Sequence, residues 1–146
     1  FWMQKAYRIP DNDCACTPPG KAPEKTRPIG RYNVRSFITS LAEGARVARG
    51  KPVQVRGIAF DGGKGIREVQ FSSDGGKTWQ AAKLGKDMGR YSFREWHADF
   101  TPKAAGDYTL KVRATNTAGD TQPLEALWNP AGYMRNVVEA VRVTAA

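Results

Sequence analysis

Cysteine, histidine and paired carboxylates carry most of the chemistry available to a small domain, and this chain is sparing with them. Of its 146 residues, two are Cys and one is His. The cysteines stand as Cys14-Ala15-Cys16. That is neither CxxC nor a haem-attachment spacing, and two thiolates fall short of the four ligands a zinc site wants. A bridge across one residue runs against disulfide geometry, so the pair reads as two free or surface-lying cysteines. The sharper alternative is a redox-sensitive pair or an interchain contact. His97 lies between Trp96 and Ala98, with Asp99 two places on. A Ser–His–Asp set has nowhere else to form, and a lone His in a strand reads as structural. There is no GxSxG, P-loop or GxGxxG, and acidic residues fall singly. The residues alone describe a binding or scaffold module with no catalytic residue, no cofactor and no metal site of its own.

The most specific local pattern is Ser72-Ser73-Asp74-Gly75-Gly76-Lys77-Thr78-Trp79, the Ser-x-Asp-x-Gly-x-Thr-Trp form of an Asp-box. Its physical content is a hairpin. Asp74 accepts backbone N–H groups across the turn, Gly75 and Gly76 supply positive φ, and Trp79 packs back on the strand. Sialidase-type propellers carry several such boxes. One copy in a chain of this length does not build a propeller. Asp61-Gly62-Gly63-Lys64 repeats the turn chemistry without the Trp.

The elements that must hold these residues read as short strands. Candidates are 34–41, 52–60, 66–72, 78–84, 91–100, 107–116 and 137–144. In 52–60, Val53 and Val55 alternate, and then Ile58 and Phe60 continue on the other phase, which predicts a bulge at Gly57. A second slip is predicted after Glu95, where Trp96, Ala98 and Phe100 take over from Tyr91 and Phe93. The cleanest alternation is Tyr108, Leu110, Val112 and Ala114 against Lys111 and Arg113. Seven short strands divided by Gly, Asp and Pro turns indicate an all-β, antiparallel sandwich. The stretch 122–135 is the one long irregular connection, and a long ordered loop is often functional.

Residues 10–33 hold Pro10, Pro18, Pro19, Pro23 and Pro28. Proline rules out a regular helix or a central strand there, so this is an extended arm or linker. The aromatic run 1–9 is expected to belong to a missing domain. The chain starts Phe1-Trp2-Met3-Gln4, with no signal-peptide pattern, and reads as a piece of a longer protein. No run nears the ~18 apolar residues of a membrane span, so no membrane is expected as partner.

The formal net charge is +9. Before Asp61 there are 11 Lys/Arg against 4 Asp/Glu, and from Asp61 onward 12 against 10. The basic residues are scattered singly, and no groove-reading element accompanies them. They read as a solvated face, and no nucleic-acid partner is expected. A stand-alone module binding protein or carbohydrate through Trp2, Tyr7 and Tyr133 is the alternative reading.

Several motifs occur in a distinctive order. Gly57-Ile58-Ala59-Phe60 precedes Ile66-Arg67-Glu68-Val69-Gln70-Phe71 and the Asp-box. Ala114-Thr115-Asn116 and Gln122-Pro123 follow, then Trp128-Asn129-Pro130-Ala131-Gly132-Tyr133 and a last strand. This set resembles the C-terminal dimerisation domain of the sulfite oxidase family of molybdenum enzymes, in a bacterial version. The resemblance covers about residues 34–146, and 1–9 looks like the closing segment of that family's catalytic domain.

The resemblance implies an immunoglobulin-like sandwich of the E-set type that pairs two subunits into a homodimer. It places molybdopterin and its cysteine ligand in an absent N-terminal domain that oxidises sulfite to sulfate. It further implies a c-type cytochrome as electron acceptor and a periplasmic location. The family arginine two places after the Asn of the Trp-Asn loop is Ala131 here. Arg135, on the same loop with Trp128 and Asn129, is the candidate to supply that charge at the pocket edge.

Overall fold

The computed structural model describes residues 1–146. One short helix, α1 (Trp2–Lys5), precedes eleven strands. These are β1 (Arg8–Pro10), β2 (Thr26–Pro28), β3 (Arg35–Ile38), β4 (Ala45–Val47), β5 (Val53–Phe60), β6 (Ile66–Ser72), β7 (Gln80–Ala81), β8 (Lys83–Leu84), β9 (Arg94–Phe100), β10 (Gly106–Asn116) and β11 (Ala140–Ala145). A five-stranded sheet, β4-β11-β10-β6-β7, lies over a four-stranded one, β3-β5-β9-β8. All pairings are antiparallel except β11 with β4. The all-β sandwich expected from alternation is the architecture found.

Alternation builds the core. Leu110, Val112 and Ala114 of β10, Val69 and Phe71 of β6 and Val143 of β11 face inward from one sheet. Val55 and Ala59 of β5 and Trp96, Ala98 and Phe100 of β9 meet them from the other. The Phe71 ring lies 6.5 Å from Trp96 and 6.2 Å from Phe100, so aromatic stacking joins the layers.

The two predicted slips are absent. β5 pairs without interruption from Val53 opposite Phe100 to Ala59 opposite Arg94, through both Gly57 and Glu95. Gly57 is required by packing: a Cβ there would stand 1.9 Å from the Phe37 carbonyl oxygen and 2.4 Å from the Trp96 ring. The apparent change of phase arises because β5 is apolar on both faces, with Ile58 and Phe60 half-buried on the outside. The register shift that does occur lies at Thr115/Asn116.

The expected strand 78–84 is two strands. Gln80–Ala81 pairs with β6 and Lys83–Leu84 with β9, so the chain crosses from one sheet to the other at Ala82. Tyr91 and Phe93 precede β9 and are exposed.

The proline-rich segment doubles back on itself. β1 and β2 form a separate two-stranded ribbon in which Pro10 faces Thr26 and Pro28 faces Arg8. A ribbon has two free edges, where a missing N–H costs nothing. Arg8 fastens it: Nε donates to Thr26 Oγ1 at 2.8 Å and Nη1 to the Met3 carbonyl at 2.8 Å. The expectation of two free cysteines is corrected. Cys14 and Cys16 form a disulfide. Ala15 takes φ +49 between them and brings their Cα atoms to 5.1 Å, a separation that a bridge accepts.

Candidate functional site

Four places gather polar or aromatic side chains. In the Asp-box, Asp74 accepts from the Thr78 hydroxyl at 2.6 Å, the Ser72 hydroxyl at 2.7 Å and the N–H groups of Lys77 and Thr78 at 3.0 Å. Hydrogen bonds from the Thr78 hydroxyl, then from its N–H, hold the Asp74 carboxyl well below the usual aspartate range. Gly75 and Gly76 adopt φ +79 and +95. Trp79 donates from Nε1 to the Gly76 carbonyl, and the Arg113 guanidinium lies 4.3 Å over its ring. Every acceptor oxygen is used inside the turn, so the box is a structural clasp.

The second cluster was missed beyond its turn character. Asp61 is buried, and its Oδ1 accepts the N–H groups of Gly63, Lys64 and Gly65, each at 2.9 Å. Asn116 donates to Asp61 Oδ2 at 3.1 Å and to Asp120 at 2.9 Å. Lys64 pairs with Asp120 at 2.7 Å. Its ammonium and the Asn116 amide lower the Asp120 pKa. This network fixes the Gly-rich turn on which Tyr91 rests, where a Cβ at Gly63 would meet the tyrosine ring at 2.5 Å.

His97 points outward on β9, opposite Arg56 and Lys83, while its neighbour Trp96 points into the core. No serine lies opposite it in the register, so the only imaginable triad is not assembled.

The fourth place centres on the long loop. The Asn129 amide donates to the Tyr133 carbonyl at 2.8 Å and accepts the Tyr133 N–H at 3.1 Å. It is buried and shapes the loop. Gly132 and Met134 both take positive φ, and Asn33 donates to the Met134 carbonyl at 2.9 Å. Arg135 thereby reaches a groove of about 490 Å³ with Arg35, Tyr7, Tyr32, Phe60 and Tyr133. Trp128 is not among its lining residues. Its carbonyl instead accepts the Thr17 N–H at 2.8 Å, tying the arm to the loop.

Arg35 and Arg135 meet on one carboxylate oxygen of Glu139, at 3.0 and 3.2 Å. Two guanidiniums on one carboxylate leave positive charge at the rim. The Arg35 guanidinium lies 4.5 Å over the Phe37 ring, and its Nε is buried without a partner. Neither Arg35 nor Glu139 was singled out in the sequence, because they stand 104 positions apart.

The groove continues into a second of about 690 Å³ that shares Tyr32 and Phe60 and adds Tyr91 and Phe93. Phe60 touches Phe37, Phe93 and Tyr32 with ring centroids 6.2, 5.3 and 6.5 Å away. Tyr7 and Tyr133 stack at 5.8 Å, so one face of each is spent on the other. The outside of the five-stranded sheet is different: Lys111, Arg113, Arg142 and Thr144 occupy it. Charged groups dominate that face, with Trp79 beneath Arg113, whereas the four-stranded sheet carries the aromatic band at the end of its outer face beyond Arg56 and His97.

The family described as "Mo-co oxidoreductase dimerisation domain" matches residues 26–146. Human mitochondrial sulfite oxidase is 30% identical over 97% of this chain and 27% of its own length. Barley nitrate reductase [NAD(P)H] is 28% identical over 79% of this chain and 14% of its own. The chain thus spans about a quarter or less of these relatives. Among solved structures, the sulfane dehydrogenase SoxCD from Paracoccus pantotrophus superposes with a TM-score of 0.73 at 22% identity, over 95% of this chain and 35% of that one.

Proposed function

The chain belongs to the Mo-co oxidoreductase dimerisation domain family, and from that premise we propose that it is the non-catalytic pairing module of a sulfite-oxidase-like molybdenum enzyme. The observation that carries the reading is the aromatic band. A sandwich facing water on both sides has mainly polar outer faces, as its five-stranded sheet does with Lys111, Arg113, Arg142 and Thr144. A contiguous apolar patch on a soluble domain marks a contact surface. Here it runs from Tyr7 and Tyr133 through Tyr32 and Phe60 to Phe93 and Tyr91.

The residues present do not fit a molybdenum centre. Both cysteine sulfurs are bonded to each other, and no three His, Cys, Asp or Glu side chains converge. Molybdopterin and the two-electron oxidation of sulfite to sulfate therefore belong to a separate domain in this reading. The Tyr7–Tyr133 end of the band docks on that domain and brings Arg135 to the edge of its anion pocket. The Phe93–Tyr91 end meets a second copy, giving a two-fold homodimer. A c-type cytochrome as electron acceptor and a periplasmic location complete the proposal.

The test is the mass of the full-length enzyme by sedimentation across a concentration series. Wild type is expected as a dimer. Phe93→Lys combined with Tyr91→Lys is expected to shift it to monomer at concentrations where wild type stays paired. An unshifted dimer in the double variant would place the pairing surface elsewhere and overturn the assignment.

A further inference from the structure

The Cys14–Cys16 bridge is the one motif that pairing does not absorb. A structural disulfide joins stretches of chain that would otherwise separate, and its stabilising effect grows with the loop it closes. This one closes over a single intervening residue and connects no element to another. The turn that holds it is also formed without sulfur. The Ala15 N–H donates to the Asn12 carbonyl at 3.1 Å, the Cys16 N–H to Asn12 Oδ1 at 3.2 Å, and Asn12 Nδ2 to the Cys16 carbonyl at 2.9 Å. A bridge that adds so little to the fold and leaves Cys14 exposed is placed for reaction.

It is also placed to be noticed. Ala15 sits at φ +49, a left-handed conformation that L-residues other than Asn and Asp rarely adopt. The bridge spans that residue, so opening it removes one of the two restraints on the turn, the other being the Asn12 hydrogen bonds. One residue on, the Thr17 N–H is bonded to the Trp128 carbonyl. Cys14 and Ala15 line a small cavity with Asn129, Tyr133 and Arg135.

From these contacts we infer that Cys14–Cys16 is a thiol–disulfide exchange site for a dithiol reductant, and that the loop carrying Trp128 and Arg135 responds to its state. A thiolate of the reductant attacks the exposed Cys14 Sγ and forms a mixed disulfide. The Cys14–Cys16 bond breaks, and its electron pair leaves on Cys16 Sγ, which takes a proton. The second thiolate of the reductant then attacks the reductant's own sulfur in the mixed disulfide and expels Cys14, which is protonated in turn. The pair has gained two electrons and two protons, and the reductant has become a disulfide. The Asn12 clamp keeps both thiols in one turn, so the reverse reaction remains available. The inference does not depend on the pairing role.

The experiment uses dithiothreitol on the native, full-length protein, with maleimide labelling read by mass spectrometry and with Trp128 fluorescence. Both cysteines are expected to resist labelling as isolated and to label after mild native reduction. The emission of Trp128, identified by its loss in Trp128→Phe, is expected to change in step. With oxidised glutathione, Cys14 in Cys16→Ser is expected to form a mixed disulfide about tenfold faster than Cys16 in Cys14→Ser, as exposure dictates. Free thiols in the isolated protein, a bridge untouched until the protein unfolds, or equal rates in the two variants would overturn the exchange site. Reduction with no change in Trp128 would overturn the coupling to the loop.

Discussion

The Ser36 hydroxyl on β3 donates to the side-chain carbonyl of Gln122, a buried bond between residues 86 positions apart and between the two halves of the sandwich. The same Gln122 oxygen accepts the Ala114 N–H of β10 at 3.0 Å, and its amide donates to the Asn136 carbonyl at 2.9 Å. One amide thus fixes a strand of each sheet and both ends of the long 122–135 loop. Gln122→Ala leaves the Ala114 N–H and the Asn136 carbonyl without these partners, at about 1–3 kcal/mol each. Ser36→Ala removes one bond and is expected to cost about 1 kcal/mol. Urea unfolding of both single variants and the double variant checks this. The double is expected to cost less than the sum; strict additivity would refute the shared node.

Gly57→Ala tests why the glycine is there. A bulge glycine in an open site tolerates a methyl group, whereas one under an indole does not. With 1.9 Å to the Phe37 carbonyl oxygen and 2.4 Å to Trp96, backbone and ring must both move. The expected loss is about 3 kcal/mol, the upper end for overpacking. A thermal melt within a degree or two of wild type would refute the steric account.

Acid sensitivity should reside partly in the Asp-box. The folded Asp74 carboxyl titrates below its unfolded counterpart because the Thr78 hydroxyl and N–H stabilise the ionised form. Its contribution is therefore complete above the ordinary aspartate pKa of about 3.9. It declines as the pH falls below that value towards the folded one. Asp74→Asn is expected to be less stable than wild type near neutrality, with the gap beginning to narrow below about pH 4 and still narrowing at about pH 2. Urea midpoints across that range give the answer, and a gap that does not change with pH would be the contrary result.

On the proposed reading of the parent as a sulfite-oxidising enzyme, Arg135→Ala in the full-length protein is expected to raise the KM for sulfite. The lost charge-assisted bonds correspond to about tenfold or more, and the salt dependence of KM should flatten. Structural integrity is read separately from the urea midpoint, which should barely move because Arg135 is exposed. An unchanged KM with unchanged salt dependence would remove Arg135 from the pocket.

Much of the sandwich was legible because one-sided burial writes period-two patterns: β10 shows Leu110, Val112 and Ala114 against Lys111 and Arg113. The misreadings have a common physical origin. Ile58, Phe60 and Phe93 are apolar on the side away from the core, so the alternation appeared to slip at Gly57 and Glu95. What resembled a backbone defect was the aromatic band. The hairpin at Asp74 was readable because all its partners lie within four residues. The Arg35–Glu139–Arg135 cluster was not, since only the folded register brings its ends together. The cysteine pair was misjudged because spacing along the chain says nothing of the left-handed turn at Ala15.

β11 lies between β10 and β4, hydrogen-bonded on both sides and parallel to one of them. Ala146 continues that attachment, exchanging bonds with Val47 and Arg49. Such a strand acts as a keystone. Deleting 140–146 would orphan β4 and bare the Gly106–Lys111 edge of β10, a template for intermolecular sheet growth. Truncations from this end should therefore yield insoluble protein rather than a slightly smaller one.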